Sequence, residues 1–204
     1  MIATRNRIGF DPELIRRYDL RAPRYTSYPT ADHFENNFTE KHYRQAAVTS
    51  NEIPIPSALS LYFHIPFCNS LCFFCACNKV VTRRTEVADK YLDHVCQEIQ
   101  LQGGLYDNDR EVVQLHLGGG TPTFLTMSQI KRLLQKVDQH FLRSTNPNRE
   151  FSIEIDPRTV IPESLESLKQ LGFNRISLGV QDFDSNVQQA IHRIQPPEAT
   201  LELL

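Results

Sequence analysis

Four times in this 204-residue chain a short β-rich run gives way to a stretch with helical spacing, and that alternation restricts the fold more than any other feature. The runs are SALSLYFHI (57–65), VVQLHL (112–117), EFSIEI (150–155) and NRISLGV (174–180). After the first run, a helix over roughly 85–102 places Ala88, Tyr91, Leu92, Val95 and Ile99 on one face. After the second, Ile130, Leu133, Leu134, Val137 and Phe141 share a face, and Thr126 with Gln129 has the form of a capping box. SLESLKQLG (164–172), closed by Gly172, follows the third, and SNVQQAIHR (185–193) starts a helix after the fourth. Such a pattern predicts an α/β fold with a parallel sheet, either an open doubly wound sheet or a (β/α) barrel. Both collect ligands beyond the carboxyl ends of their strands. The unusual residues of this chain fall there: the cysteines after strand one, GGGTPT after two, IEIDP closing three and GVQDF closing four.

Residues 1–57 read differently. They hold five prolines, at 12, 23, 29, 54 and 56, and little periodicity beyond a short helical stretch near DPELIRRY. This predicts an N-terminal arm ahead of a domain over 58–204. The formal net charge of −2 gives no strong pull toward nucleic acid or anionic lipid. No apolar run reaches the ~18–20 residues needed to cross a membrane, and no apolar stretch follows the basic residues of the start. A cytoplasmic location is expected. Clustered cysteines in a reducing compartment favour metal ligation or catalysis over a disulfide framework.

CNSLCFFCAC (68–77) holds four of the five cysteines, spaced C-x3-C-x2-C-x-C. Structural zinc sites pair C-x2-C with a second pair. Here Cys96 stands alone, on the apolar stripe of its helix, and reads as a plain buried cysteine. Ferredoxins use other spacings. Cys75 and Cys77, one residue apart, point awkwardly for one cuboidal cluster in an extended loop. Cys68, Cys72 and Cys75 are the more natural set, and three thiolates on a four-iron cluster leave one iron open. The three glycines in LHLGGGTPT suit either a close backbone approach to a ligand or a tight turn. A phosphate loop is disfavoured, because G-x4-G-K-[ST] is absent. Glu154 alternates with Ile153 and Ile155 and needs hydrogen-bond donors, either sugar hydroxyls or a neighbouring lysine or arginine. Tyr62 and His64 share a parity and face one side, with a satisfied core histidine as the default for His64.

The C-x3-C-x2-C set resembles the signature of radical S-adenosylmethionine (radical SAM) enzymes. The ordered stretches PRYTSYPT, LYFHIPFC, LCFFCACNK, LHLGGGTPT, SIEIDPR, GFNRISLGVQDF and IHRIQ make the chain similar to the N-terminal part of the oxygen-independent coproporphyrinogen III oxidase family. The resemblance implies a partial (β/α) barrel, here truncated after about four βα units. It implies a [4Fe–4S] cluster on Cys68, Cys72 and Cys75, with SAM on the open iron. SAM cleavage to a 5′-deoxyadenosyl radical would start oxidative decarboxylation of two propionates of coproporphyrinogen III to vinyl groups, giving protoporphyrinogen IX for haem synthesis. A reducing electron donor and an electron acceptor are implied, neither identified, and a monomer is expected. By matching position, Tyr62, Gly119 and Glu154 would contact the cluster-bound SAM. Phe74, Gly120, Thr121, Gln181 and Arg193 would hold a second SAM, and Arg24, Tyr25 and Tyr28 match a segment near the site. Cys77 matches an extra cysteine that is not a ligand. The alternatives are a haem-handling lineage of the same superfamily, which lacks the PRYTSYPT arm and fourth cysteine, and a zinc-binding structural module.

Overall fold

The computed structural model describes residues 10–20 and 30–203, which fall into two compact units divided between Glu40 and Lys41. The first holds α1 (Pro12–Tyr18), capped by Asp11, whose carboxylate accepts from the amides of Glu13 and Leu14, and a 3-10 turn over Ala31–His33. Arg24, Tyr25 and Tyr28 lie outside the described residues.

The second unit is built on a parallel sheet. Its strands β1 (Leu59–Ile65), β4 (Glu111–Gly119), β6 (Glu150–Ile155) and β7 (Arg175–Leu178) lie side by side in that order, with the two-residue β5 (Leu142–Arg143) added on β4. Two further short strands, β2 (Phe67–Cys68) and β3 (Val80–Val81), pair with each other. The helices are α2 (Glu40–Thr49), α3 (Val87–Gly103), α4 (Met127–His140), α5 (Pro162–Gln170), α6 (Ser185–Ala190) and α7 (Pro197–Leu201). The four long strands are the four read from the sequence, each within two residues at either end. Neighbours in the sheet are neighbours in the chain, as in a (β/α) barrel. A doubly wound sheet reverses its strand order at a switch point, and no reversal occurs here among the described residues.

Strand register explains where the core sits. Leu61 pairs with Leu115 and Phe63 with Leu117; Leu115 pairs with Phe151 and Leu117 with Ile153; Ile153 pairs with Ile176. These side chains share one face, because parity is preserved across a parallel ladder. The buried stripes of α3 (Ala88, Leu92, Ile99) and α4 (Ile130, Leu133, Leu134, Val137) join the same core. Burying each Leu or Ile contributes ~1.5–3 kcal/mol. Polar pairs on the outer sides of α3 and α4, Asp89 with Gln129 and Asp93 with Arg132, keep the two helices in register. The capping box at Thr126 and Gln129 is present and starts α4 where the sequence places it. Phe141 is the C-cap residue of α4 rather than its last turn, yet it stays buried. Cys96 is only half-buried, because it sits at the margin of the α3 stripe.

Candidate active site

The cysteine loop is closed at its base by β2 and β3. Phe67 pairs with Val80 and Cys68 with Val81; the Val80 amide donates to Pro66 O (2.7 Å) and that of Thr82 to Cys68 O (2.9 Å). Further ties hold its two sides. His64 Nε2 donates to the carbonyl of Asn78 (2.8 Å), which fixes the tautomer, so Nδ1 accepts from the Tyr62 hydroxyl (3.1 Å). Across the loop, the Phe73 amide donates to Ile191 O (3.0 Å), and His192 Nδ1 donates to Leu71 O (2.7 Å) while its ring stacks on Phe73. Lys79 Nζ donates to Cys75 O (3.0 Å). All four cysteines of the loop line one cavity of about 430 Å³ at the carboxyl end of the sheet; Cys68 and Cys72 are buried, Cys75 half-buried and Cys77 exposed.

The glycine run lies against this loop. Gly119 has φ +116°, a conformation L side chains rarely adopt, and an added Cβ would stand 2.8 Å from the His64 ring. At Gly120 a Cβ would stand 2.9 Å from Cys68 Sγ and from the backbone of Pro66 and Phe67. The close approach is therefore to His64 and Cys68 themselves, and it leaves space on the cavity side. Beside it, the Thr121 hydroxyl donates to Cys68 Sγ (3.5 Å). Burial pushes the Cys68 thiol up, and the Thr121 hydroxyl offsets part of that. A nearby iron would reverse the balance, since a coordinating thiol is deprotonated outright.

Glu154, on β6, accepts from the Gly119 amide (3.1 Å) and lies 3.4 Å from His116 Nε2. Ser152 stands 2.6 Å from the other ring nitrogen of His116 and donates to it when Nε2 carries the proton. The partners of Glu154 are thus a main-chain amide and an imidazole. Its side chain is 45% exposed, so an edge of the carboxylate remains open to the cavity. Tyr62 is the expected site residue that stands apart: its ring stacks on His116 at 5.7 Å, over half exposed and outside the cavity lining.

Beyond β6 the wall is cationic. Asp156 caps the turn Pro157–Thr159, just past the strand, and grips Arg158 through Nε (3.0 and 3.2 Å) and Nη2 (2.7 Å). Arg193, nearly buried, reaches Asp156 (3.3 Å), Gly179 O (2.7 Å) and Cys72 Sγ (3.5 Å). Burial pushes the Asp156 carboxyl up, but the Arg158 hydrogen bonds and the Arg193 charge outweigh it and hold the group below its ordinary value. Gln181 occupies the left-handed region at φ 66°, a strained position for a side-chain-bearing residue, and lines the cavity with Phe74, Gly119, Gly120, Thr121 and Arg193. Buried Gln188 sets the place of Arg193: its amide donates to Asp182 O and Gln195 O and accepts from the Gln195 amide, closing the 182–195 loop.

Among the described residues, every one expected to hold the cluster or SAM except Tyr62 lines this cavity. Sequence reasoning missed His116, Arg158 and Gln188. His116 alternates between Leu115 and Leu117 just as Glu154 alternates between Ile153 and Ile155, which is a readable signal. Gln188 carries none, since a glutamine in a short helix reads as solvent-facing. The donor chemistry suits a thiolate-bound cluster: four thiols border one cavity, a glycine clears Cys68, and two guanidiniums stand near Cys72 to balance negative charge, while among the described residues no three His, Cys, Asp or Glu side chains are gathered closely enough to hold a metal ion as they stand.

Residues 62–204 match the radical SAM superfamily. The chain is 47% identical over 197 residues to the oxygen-independent coproporphyrinogen III oxidase of Salmonella typhimurium, covering 97% of this chain and 42% of that protein. To the enzyme of the same name from Pseudomonas aeruginosa it is 45% identical over 193 residues, covering 95% and 42%. Among solved structures it is similar to coproporphyrinogen III oxidase from Escherichia coli, described as a radical SAM enzyme, with TM-score 0.80 and 45% identity over 96% of this chain and 42% of that one. The chain thus spans under half the length of these relatives.

Proposed function

The chain belongs to the radical SAM superfamily, and from that premise we propose that it carries the cluster and SAM sites of an oxygen-independent coproporphyrinogen III oxidase. Superfamily membership implies a [4Fe–4S] cluster and SAM; the substrate, the number of SAM molecules and the residue roles are parts of the proposal. The observation that carries it is the convergence of Cys68, Cys72 and Cys75 with Gly119, Gly120, Thr121, Glu154, Gln181 and Arg193 on one cavity.

A bound cluster with SAM would supply one-electron reduction and hydrogen abstraction. The protein's own work is placement. Cys68, Cys72 and Cys75 hold the cluster on a loop tied down by β2, β3, His64 and His192. Glu154, oriented by the Gly119 amide and His116, offers its open edge to ribose hydroxyls. Gly119 gives main-chain approach to the same SAM, with Tyr62 at the margin. Phe74, Gly120, Thr121, Gln181 and Arg193 form the side of the cavity proposed for a second SAM. The reaction converts two propionates of coproporphyrinogen III to vinyl groups, with an external reductant and an electron acceptor.

The deciding experiment is SAM cleavage. The chain is reconstituted with iron and sulfide without oxygen, reduced and given SAM, with Cys72→Ser as control. Formation of 5′-deoxyadenosine by the parent alone supports the SAM site, and decarboxylated product from added coproporphyrinogen III supports the substrate. A fully loaded cluster with neither product counts against this chain performing the reaction.

A further inference from the structure

The three cysteines assigned to the cluster do not meet equal surroundings. Cys68 Sγ meets a neutral donor, the Thr121 hydroxyl. Cys72 Sγ meets two guanidiniums, Arg193 Nη1 at 3.5 Å and Arg158 Nη2 at 3.8 Å. Arg158 is held for this contact, because Asp156 accepts from its main-chain amide (3.0 Å), its Nε and its Nη2. Its side chain is 24% exposed, so solvent screens it only in part. Asp156 also faces Arg193, so two positive charges and one negative charge stand beside this sulfur.

We infer that Arg158 is a positioning residue that sets the reduction potential of the cluster through Cys72. The inference rests on the cluster reading above. Hydrogen bonds to cluster sulfurs and nearby charge are what shift the potential of an iron–sulfur centre. A cationic donor on a ligand sulfur stabilises the reduced form, which carries one more negative charge, and so raises the potential. Arg193 and Arg158 both line the cavity proposed for SAM, so the effect of Arg158 on the cluster is separated from SAM binding by measuring the potential without SAM.

The test is an EPR-monitored redox titration of the reconstituted chain without SAM, comparing the parent, Arg158→Gln and Arg158→Lys, with iron and sulfide content measured alongside. Arg158→Gln is expected to load its cluster and to reduce at a more negative potential. The reduction equilibrium should fall about tenfold, or 59 mV for one electron. Arg158→Lys keeps the charge without the fork and is expected to recover part of that loss. Equal potentials at equal loading overturn the inference and leave the cluster reading standing. Failure of Arg158→Gln to load, with Arg158→Lys at the parent potential, assigns Arg158 a structural role and also overturns it. A parent that binds no cluster removes both readings together.

Discussion

The two faces of the sheet use the same four strands for opposite purposes. One face presents Leu61, Phe63, Leu115, Leu117, Phe151 and Ile153 to the helices, and its central members are fully buried. The other presents Tyr62 and His64 from β1, His116 from β4, Ser152 and Glu154 from β6, and Ser177 from β7. Doubly wound sheets are covered on both sides and read as near-continuous apolar runs. Here each strand alternates, and the polar side carries two hydrogen-bonded sets, Tyr62–His64–Asn78 and Ser152–His116–Glu154–Gly119, joined by the stack of Tyr62 on His116. Apolar burial is concentrated on one face and the polar groups of the candidate site on the other.

This division can be broken most directly from the apolar side. Leu117→Ala removes a fully buried side chain and is expected to cost about 2–5 kcal/mol in urea unfolding; a loss below 1 kcal/mol would show that stability is not concentrated there. Gly120→Ala comes next, at about 1–3 kcal/mol, because its Cβ collides with the main chain of Pro66 and Phe67 as well as Cys68 Sγ. It should also reduce iron and sulfide loading, and full loading would mean that Gly120 does not clear the cysteine. His64→Ala is expected to cost about 1 kcal/mol. Its sharper signature is faster hydrogen exchange at the Val80 and Thr82 amides, which hold the loop base.

A smaller effect is confined to acid. The Asp156 carboxyl titrates below its ordinary 3.8 in the folded chain. Its contribution is fully present above the ordinary carboxylate value and is lost as pH falls through the lower folded value. Denaturant midpoints should therefore drop more steeply below about pH 4 in the parent than in Asp156→Asn; parallel profiles would sink this. The smallest change in stability is expected from Glu154→Gln, within about 0.5 kcal/mol, because the side chain is 45% exposed. Its SAM affinity should nonetheless fall, and a variant that is destabilised but binds SAM normally would reverse the roles of the two faces.

Much of the frame was legible because it is periodic. The four long strands, α3, α4 and the Thr126–Gln129 capping box follow from spacing and cap chemistry in the sequence. The shared parity of Tyr62 and His64 already marks one side of β1 as polar. The site's outline was legible because parallel α/β folds collect ligands beyond strand ends. What could not be read depends on contacts between distant segments. The β2–β3 base is two residues long on each side and has no periodicity to detect. Glu154 takes its partners from β4, and the cationic wall at Cys72 joins Arg158 to Arg193 across the β7 region. Gln188 imitates a main-chain amide in its hydrogen bonding, a role no residue type advertises.

The β2–β3 base has a consequence for the order in which the site comes together. It closes a short segment on itself, and short loops close quickly, in roughly 10–100 ns for about ten residues. The sulfurs and the β2–β3 base are contributed by residues 66–82, while the ties of Phe73 to Ile191 and of Leu71 to His192 come from far along the chain. Asp156, Gln181 and Arg193 are brought to the cavity by β6, β7 and the 182–195 loop, over much longer sequence separations. Loop length alone thus leads us to expect the β2–β3 base to form before the charged wall that surrounds it.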